Sequence, residues 1–262
     1  MTTRPDARGI AVVKLGGSTL GQHDTSLADI AAAHASGRPL VVVHGGGAAV
    51  SAWLARSGAE ARFVRGLRAT DAPALEVVIA VLAGIINTQL VAALGAAGAR
   101  AVGLTGADGS LLQARRYDEE LGFVGQIERV EPAILRELLE AGRLPVIAPI
   151  AVEPGSPPQL LNTNADTAAG EIAAALGAES LVFLTDVEAV RDASGAPLAH
   201  LTADAARALI ADGTAAGGMA PKLEAATRAA TAGCATRIVD GTQPEALARA
   251  LAGAPGGTVI GA

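Results

Sequence analysis

The sequence predicts an α/β fold built on a mainly parallel open sheet with helices on both faces. Three observations lead there. Short β-branched runs alternate with Ala- and Leu-rich helical segments along nearly the whole chain. The strand candidates are continuously apolar, as strands buried on both faces must be. Strand–glycine–helix joints recur, at Leu15-Gly16-Gly17 and at His44-Gly45-Gly46-Gly47, where backbone N–H groups can approach an anion closely.

The first strand candidate, residues 10–15, contains Lys14. A lysine in a strand buried on both faces is costly unless its ammonium emerges at the strand end and meets negative charge. Further strands are expected at 40–44, 101–105, 144–150, 180–185, 236–239 and 258–260, with helices near 25–36, 48–58, 72–94, 132–141, 166–177, 202–212, 221–232 and 243–252. Thr202 and Glu131-Pro132 mark helix starts, and Gly142, Gly177 and Gly213 mark stops. The helix near 72–94 carries Leu75, Val78, Ile79, Leu82, Ile86 and Leu90 at helical spacing. It is also apolar on other faces, through Val77, Val81 and Ile85, and so is buried on more than one side, in a core or at a subunit interface. Two segments interrupt the alternation: 112–130 reads as a β-hairpin around Tyr117–Gly122, and 152–161 turns at Pro154-Gly155-Ser156-Pro157-Pro158. Excursions at strand ends often cover a ligand site.

At 262 residues the chain has room for one large domain or two closely packed lobes. Aromatic residues make up 2% of it, so a core drawn from the 50% hydrophobic residues must be Ala, Val, Leu and Ile. A net charge of −6 with no basic cluster excludes a nucleic-acid footprint. The lone Cys234 rules out an intrachain disulfide and a cysteine-based metal site, and reads as a small buried residue. Met1 to Gly9 is short and polar, unlike a signal peptide, and the apolar run 77–86 is too short to span a bilayer. A soluble, cytoplasmic chain with no membrane partner is expected.

Neither a Walker-A pattern nor a G-x-G-x-x-G after a strand is present, which disfavours P-loop and Rossmann enzymes. Other polar stretches stand out. Gly66-Leu67-Arg68-Ala69-Thr70-Asp71 precedes the long helix, and Arg68 is there either a solvated residue or an anion ligand. Asn162-Thr163-Asn164-Ala165-Asp166 opens a helix; capping needs one of these side chains, and an extended lead-in would put Asn162, Asn164 and Asp166 on one side. Thr185-Asp186-Val187 ends a strand, and Gly217-Gly218-Met219-Ala220-Pro221-Lys222 leads into a helix. Lys222 opposes that helix's dipole unless an anion lies at the same end.

Taken in order, VVKLGGS, VVVHGGG, GLRATD, YDEELGFVG, NTNAD, LTDV and GGMAPK resemble the amino acid kinase family over nearly the whole chain. GLRATD followed by NTNAD is similar to its acetylglutamate branch in particular. The resemblance implies a three-layer αβα sandwich around the sheet. Residues 1–178 would form an N-terminal lobe for acyl-amino-acid binding and dimerisation, and 179–262 a C-terminal lobe for ATP, in one continuous domain. Arg68 would grip the substrate α-carboxylate, with Asn162, Asn164 and the Gly46 and Gly47 backbone at the acetamido and reacting carboxylate groups. Lys14 and Lys222 would flank the transferred phosphoryl group, and Asp166 would orient both. Gly16, Gly17, Asp186, Val187, Arg191, Gly217, Gly218 and Met219 would line the nucleotide site. Mg²⁺ would arrive with ATP, held by phosphates and water rather than by a protein metal site.

The chemistry is coherent without the likeness. Bringing phosphate to a carboxylate joins two anions, so the barrier is repulsion and positioning. Two ammonium groups and glycine-turn amides oppose that repulsion, and a carboxylate between them keeps both lysines protonated. A γ-carboxylate is already ionised at neutral pH, so no general base is needed and His44 reads as structural. One departure is Ala189, where the family usually has Gly; a position needing positive φ would there be strained by about a kilocalorie. Fewer residues precede the first strand than in arginine-sensitive members with an extra N-terminal helix, which implies a homodimer joined through the helix near 72–94. N-acetyl-L-glutamate is the expected substrate. The rivals are a kinase for carrier-linked aminoadipate or glutamate, which would want basic residues such as Arg115, Arg116 and Arg129 at its mouth, and a non-catalytic binding protein on the same fold.

Overall fold

The computed structural model describes residues 9–16 and 25–261. The expectation for Gly17 lies outside the described residues. The N-terminal half runs β1 (Ala11–Leu15), α1 (Ser26–Ala35), β2 (Leu40–His44), α2 (Gly47–Arg56), a hairpin of β3 (Phe63–Val64) and β4 (Leu67–Arg68), then α3 (Ala72–Ile79). A π-helical turn (Ala80–Ile86) joins α3 to α4 (Asn87–Ala96) without a break. There follow β5 (Ala101–Thr105), β6 (Leu112–Arg116), β7 (Gly125–Val130), α5 (Ala133–Glu140), β8 (Leu144–Ala148), β9 (Ile150–Glu153) and β10 (Gln159–Asn162). The last part comprises α6 (Ala165–Leu176), β11 (Ser180–Thr185), β12 (His200–Thr202), α7 (Ala203–Ala211), α8 (Met219–Thr231), β13 (Ala235–Asp240), α9 (Ala246–Leu251) and β14 (Thr258–Gly261).

The main sheet has eight strands in the order β12-β14-β13-β11-β1-β2-β8-β5. Its pairings are parallel except that of β13 with β14. β1 lies at its centre, and the chain winds away from it in both directions, so the crevice beyond the carboxyl ends of β1, β2 and β11 is a topological switch point. A second sheet, β10-β9-β6-β7, and the β3–β4 hairpin flank that crevice.

Alternation along the strands makes two cores. Val12, Val41, Val43, Leu181 and Phe183 point to one face and pack with α6 and α8. Val13, Leu15, Val42, Val182 and Leu184 point to the other and pack with α1, α2, the long helix and α9. Side chains two apart share a face, so Lys14 falls on the face of Val12, beneath α6 and α8.

The predicted strand over 144–150 divides in two. Pro149 has no N–H to give the ladder, and the chain leaves the main sheet there, with β8 inside it and β9 in the second sheet. The helix expected near 72–94 reaches Ala96 and changes pitch at its centre, and the helix expected from 221 starts at Met219. The 112–130 hairpin forms as β6 and β7 with a register irregularity between Gln113 and Ala114. β3, β4 and β12 were not foreseen, being two or three residues long, too short for a periodicity to register. Thr202 caps α7 by accepting from the Ala205 N–H, and Gly177 ends α6 in the left-handed conformation, both as the sequence indicates.

Ala72–Ala96 is long and apolar enough to cross a bilayer, with a mean hydropathy of 2.3 in its most apolar window, of which 39% is buried. Leu75, Val78, Leu82, Ile86, Leu90 and Leu94 nevertheless enter the second core, and α4 lies against β5 and β8, which makes it an integral helix of the fold. Cys234 is buried as expected, and desolvation pushes its thiol up to about 11, leaving it a packing residue.

Candidate active site

A cavity of about 220 Å³ opens at the carboxyl edge of the sheet. Lys14, Gly46, Gly47, Arg68, Asn162, Asn164 and Asp166, far apart in sequence, all line it. The two glycine joints are brought side by side by the β1–β2–β11 register: the Gly45 N–H donates to the Leu15 carbonyl, and the Gly16 N–H to that of Leu184. No side chain caps α2, whose first N–H groups start at Gly47 on the cavity wall. Gly46 is required by space. A Cβ there would lie 2.3 Å from Ile86 Cδ1 and 2.6 Å from Leu82 Cδ2.

The charged centre is a single carboxylate oxygen. Asp166 Oδ1 accepts from Lys14 Nζ at 2.8 Å and from Lys222 Nζ at 3.1 Å. Both lysines are 7% exposed, so the ion pairs are protected from screening. Three elements converge to make this contact. Lys14 comes up from β1 on the α6/α8 face, Asp166 opens α6, and Lys222 sits in the first turn of α8. Gly170 lets the two helices touch, since a Cβ there would stand 2.7 Å from the Ala225 carbonyl oxygen. Lys222 also lies over the Phe183 ring, 5.3 Å from its centroid.

Burial raises the Asp166 pKa, but the Lys14 charge and then the Lys222 charge outweigh it and hold the carboxyl below its ordinary value. Lys222 is shifted down, first by burial and then by Lys14, against the pull of Asp166 and Asp186. Two ammonium groups share one carboxylate, so the trio carries net positive charge and attracts a further anion.

Arg68 adds a second positive centre. Its Nη2 donates to the Gly47 carbonyl and to Ser51 Oγ, both at 2.8 Å, and Phe63 stacks 4.7 Å from the guanidinium carbon. Its Nη1 is buried without a partner, and among the described residues no carboxylate pairs with it. Burial alone lowers its pKa. A fixed guanidinium with an unpaired edge is a ready ligand for a carboxylate. Asn162 Nδ2 donates to Thr70 Oγ1 at 3.1 Å, and Thr70 Oγ1 in turn donates to the Arg68 carbonyl at 2.8 Å. Asn164 Oδ1 caps α6 by accepting from the N–H groups of Asp166 and Thr167. It thus orients Asp166 while lining the same cavity.

Of the remaining predicted positions, Gly16, Asp186, Val187, Arg191, Gly217, Gly218 and Met219 do not line this cavity. Asp186 is exposed at the end of β11, accepts from Thr185 Oγ1 at 3.2 Å, and its charge reaches Lys222. Val187 follows it, half-buried, and Gly217 and Gly218 form the lead into α8, which Met219 opens. Gly217 meets the β3–β4 hairpin, where its carbonyl oxygen would be 3.2 Å from a Cβ on Gly66. Arg191 donates to the Gly195 carbonyl at 2.8 Å and lies 3.7 Å from Glu188. Ala189 is buried and is not among the residues at positive φ, so the strain feared at that position does not arise. Sequence reasoning missed Ser51, Thr70, Phe63 and Phe183. Ser51 was discoverable, lying one helical turn after Gly47.

Paired cations beside a buried guanidinium, at the switch point of a parallel sheet, define a site for bringing anionic groups together. Residues 9–240 match the Amino acid kinase family, and the chain belongs to that family. It is 45% identical over 257 residues to an acetylglutamate kinase of Dehalococcoides mccartyi (strain ATCC BAA-2266 / KCTC 15142 / 195), covering 96% of this chain and 94% of that one. It is 46% identical over 242 residues to the acetylglutamate kinase of Paracoccus denitrificans (strain Pd 1222), covering 90% and 79%. Among solved structures, smu.665 from Streptococcus mutans UA159 superposes with a TM-score of 0.82 at 27% identity, over 96% of this chain and 98% of that one. N-acetylglutamate synthase from Neisseria gonorrhoeae, complexed with coenzyme A and N-acetyl-glutamate, gives 0.83 at 26% identity, over 97% of this chain and 59% of that one.

Proposed function

We propose that this chain is an acetylglutamate kinase, transferring the γ-phosphoryl group of ATP to the γ-carboxylate of N-acetyl-L-glutamate in arginine biosynthesis. The observation that carries the reading is the shared Asp166 oxygen, which holds Lys14 and Lys222 together beside the unpaired edge of Arg68. A γ-carboxylate oxygen attacks phosphorus, the bond from phosphorus to the β,γ-bridging oxygen breaks, and ADP and N-acetyl-glutamyl 5-phosphate leave. No proton is transferred, so the site needs cations and not a base. Lys14 and Lys222 stabilise the charge spread over the moving phosphoryl group, and Asp166 keeps both charged and in place. Arg68 takes the α-carboxylate, and Asn162 and Asn164, with the Gly46 and Gly47 amides, take the acetamido and reacting carboxylate groups.

ATP would lie over Gly16, Asp186, Val187, Arg191 and the lead to α8, dividing the chain into an acyl lobe over 1–178 and a nucleotide lobe over 179–262. The cavity wall suits phosphates better than a bare metal: among the described residues no cluster of three acidic, histidine or cysteine side chains is present, and Asp166 is engaged by two lysines. Mg²⁺ arriving with ATP would be held by the nucleotide's own oxygens and water, and would supply neutralisation of phosphate charge.

A free substrate is favoured over a carrier-linked one because Arg115, Arg116 and Arg129 are each paired, with Glu128, Glu153 and Glu131 respectively. They leave little basic charge for an acidic carrier. The chain forms a homodimer in the cytoplasm through the outer face of the long helix, where Ala80, Gly84 and Thr88 are exposed beside the half-buried Val77 and Ile85. ADP release measured with N-acetylglutamate, glutamate, aspartate, carbamate and UMP tests the assignment. Turnover with N-acetylglutamate alone, yielding an acyl phosphate that hydroxylamine traps as a hydroxamate, supports it. Equal turnover with the other acceptors, or activity only on a carrier-linked substrate, refutes it.

A further inference from the structure

His44, at the carboxyl end of β2, and Asn87 have no part in the chemistry above, yet both are buried. Asn87 opens α4 directly after the π-helical turn. Its Nδ2 donates to the Val146 carbonyl of β8 at 2.9 Å and lies 3.2 Å from His44 Nε2. A carbonyl only accepts, so Val146 fixes which atom of the carboxamide is the nitrogen. The second Nδ2 hydrogen goes to Nε2, which must then be the unprotonated ring nitrogen. The ring proton sits on Nδ1 and is donated to the Gly45 carbonyl at 2.9 Å. One carboxamide thereby sets the tautomer of a buried imidazole, and that imidazole holds the first carbonyl of the glycine turn.

The same stretch of helix presses on the next residue of the turn, with Ile86 and Leu82 filling the space a Cβ on Gly46 would need. The pitch of the helix makes this possible. In an α-helix a residue five positions on lies about 140° further round, so Leu82 and Asn87 would face different neighbours. Bonding from i to i+5 takes one more residue into the turn and brings Leu82, Ile86 and Asn87 to one side. On the far side β5 leaves room for the carboxamide: a Cβ on Gly103 would lie 2.1 Å from Asn87 Oδ1.

We propose that Asn87 and His44 are positioning residues that, through the π-helical turn, lock the Gly45-Gly46-Gly47 backbone in the orientation that receives the acyl substrate. They touch neither substrate nor reacting atoms, and their effect is confined to the acyl side of the site. The inference rests on the acetylglutamate reading above.

Steady-state kinetics of the full chain and of Asn87→Ala and Gly103→Ala, followed by ADP release, test it. The KM for N-acetylglutamate is expected to rise about five- to tenfold in both variants, the scale of one neutral hydrogen bond, while the KM for ATP stays within about twofold. Gly103→Ala leaves His44, Asn87 and the turn chemically intact and acts chiefly by displacing the carboxamide, its other close neighbour being Val91 Cγ2 at 3.2 Å, so it decides the matter even if Asn87→Ala does not fold. An unchanged KM for N-acetylglutamate in folded Gly103→Ala overturns the proposal. So does an equal rise in both KM values with a fall in melting temperature, which marks a packing role. The unmodified chain, assayed alongside, separates the two readings: if it prefers another carboxylate, the substrate assignment falls and the same comparison of KM values is made on that carboxylate.

Discussion

Replacing Asp166 with asparagine keeps the size of the side chain and removes the one negative charge between two buried ammonium groups. Both nitrogens lie within hydrogen-bonding distance of the same oxygen, at 2.8 and 3.1 Å. They are therefore no more than about 6 Å apart, where two like charges repel by about 3 kcal/mol at the effective dielectric of a protein site. In the parent the Asp166 charge offsets that repulsion; without it the repulsion stands uncompensated and is relieved when one lysine loses its proton, and about 3 kcal/mol corresponds to a downward shift of about two pH units. Lys222 is the one to yield, since burial and Lys14 already lower its pKa and Asp166 is the chief force raising it. The sign is clear: loss of a nearby anion favours the neutral amine, and catalysis needs the ammonium. In a pH–rate profile of Asp166→Asn the alkaline limb should move about two units toward neutrality, with kcat reduced about a hundredfold or more at neutral pH. The KM for N-acetylglutamate should change little. A variant with the parent's alkaline limb and kcat would refute the role of Asp166 as electrostatic clamp.

Three further outcomes are expected. Lys14→Ala and Lys222→Ala should each lower kcat by about two to four orders of magnitude with modest changes in KM, because their charges act where negative charge is spread in the transition state; steady-state assays read this directly. Arg68→Ala should raise the KM for N-acetylglutamate by about a hundredfold and leave the nucleotide KM unmoved, as binding titrations with each ligand would show. Gly46→Ala forces a methyl group into Ile86 and Leu82, and should lower stability by about 1–3 kcal/mol in thermal or urea unfolding, with a loss of acyl-substrate affinity.

The parts of the site that broke a local rule were the legible ones. Lys14 was conspicuous as a charge in an apolar strand, and Lys222 as a cation at the wrong end of a helix; each anomaly resolves at Asp166. The glycine joints were visible because βα turns at a sheet edge need them. Periodicity placed the helices well but could not detect a change of pitch. Read as an unbroken α-helix, the run through Leu82, Ile86 and Leu90 turns Asn87 away from His44, whereas the π-helical turn brings them together. Pro149 looked like one residue of a long apolar strand, and only the three-dimensional arrangement shows it passing the chain from one sheet to another. The concern over Ala189 was conformational, and it lapses because the backbone there does not enter the left-handed region. Thr70 acts through a hydrogen bond to Asn162, a partner far removed in sequence, and a one-dimensional pattern does not encode such a contact.

The convergence of Lys14 and Lys222 on the transferred group is tested most directly by a crystal structure with ADP, Mg²⁺, aluminium fluoride and N-acetyl-L-glutamate. Both ammonium nitrogens should lie within hydrogen-bonding distance of the planar fluoride, on opposite sides, with Asp166 still bridging them and a γ-carboxylate oxygen in line. A fluoride bound away from the lysine pair, or one contacted by neither lysine, would contradict the mechanism.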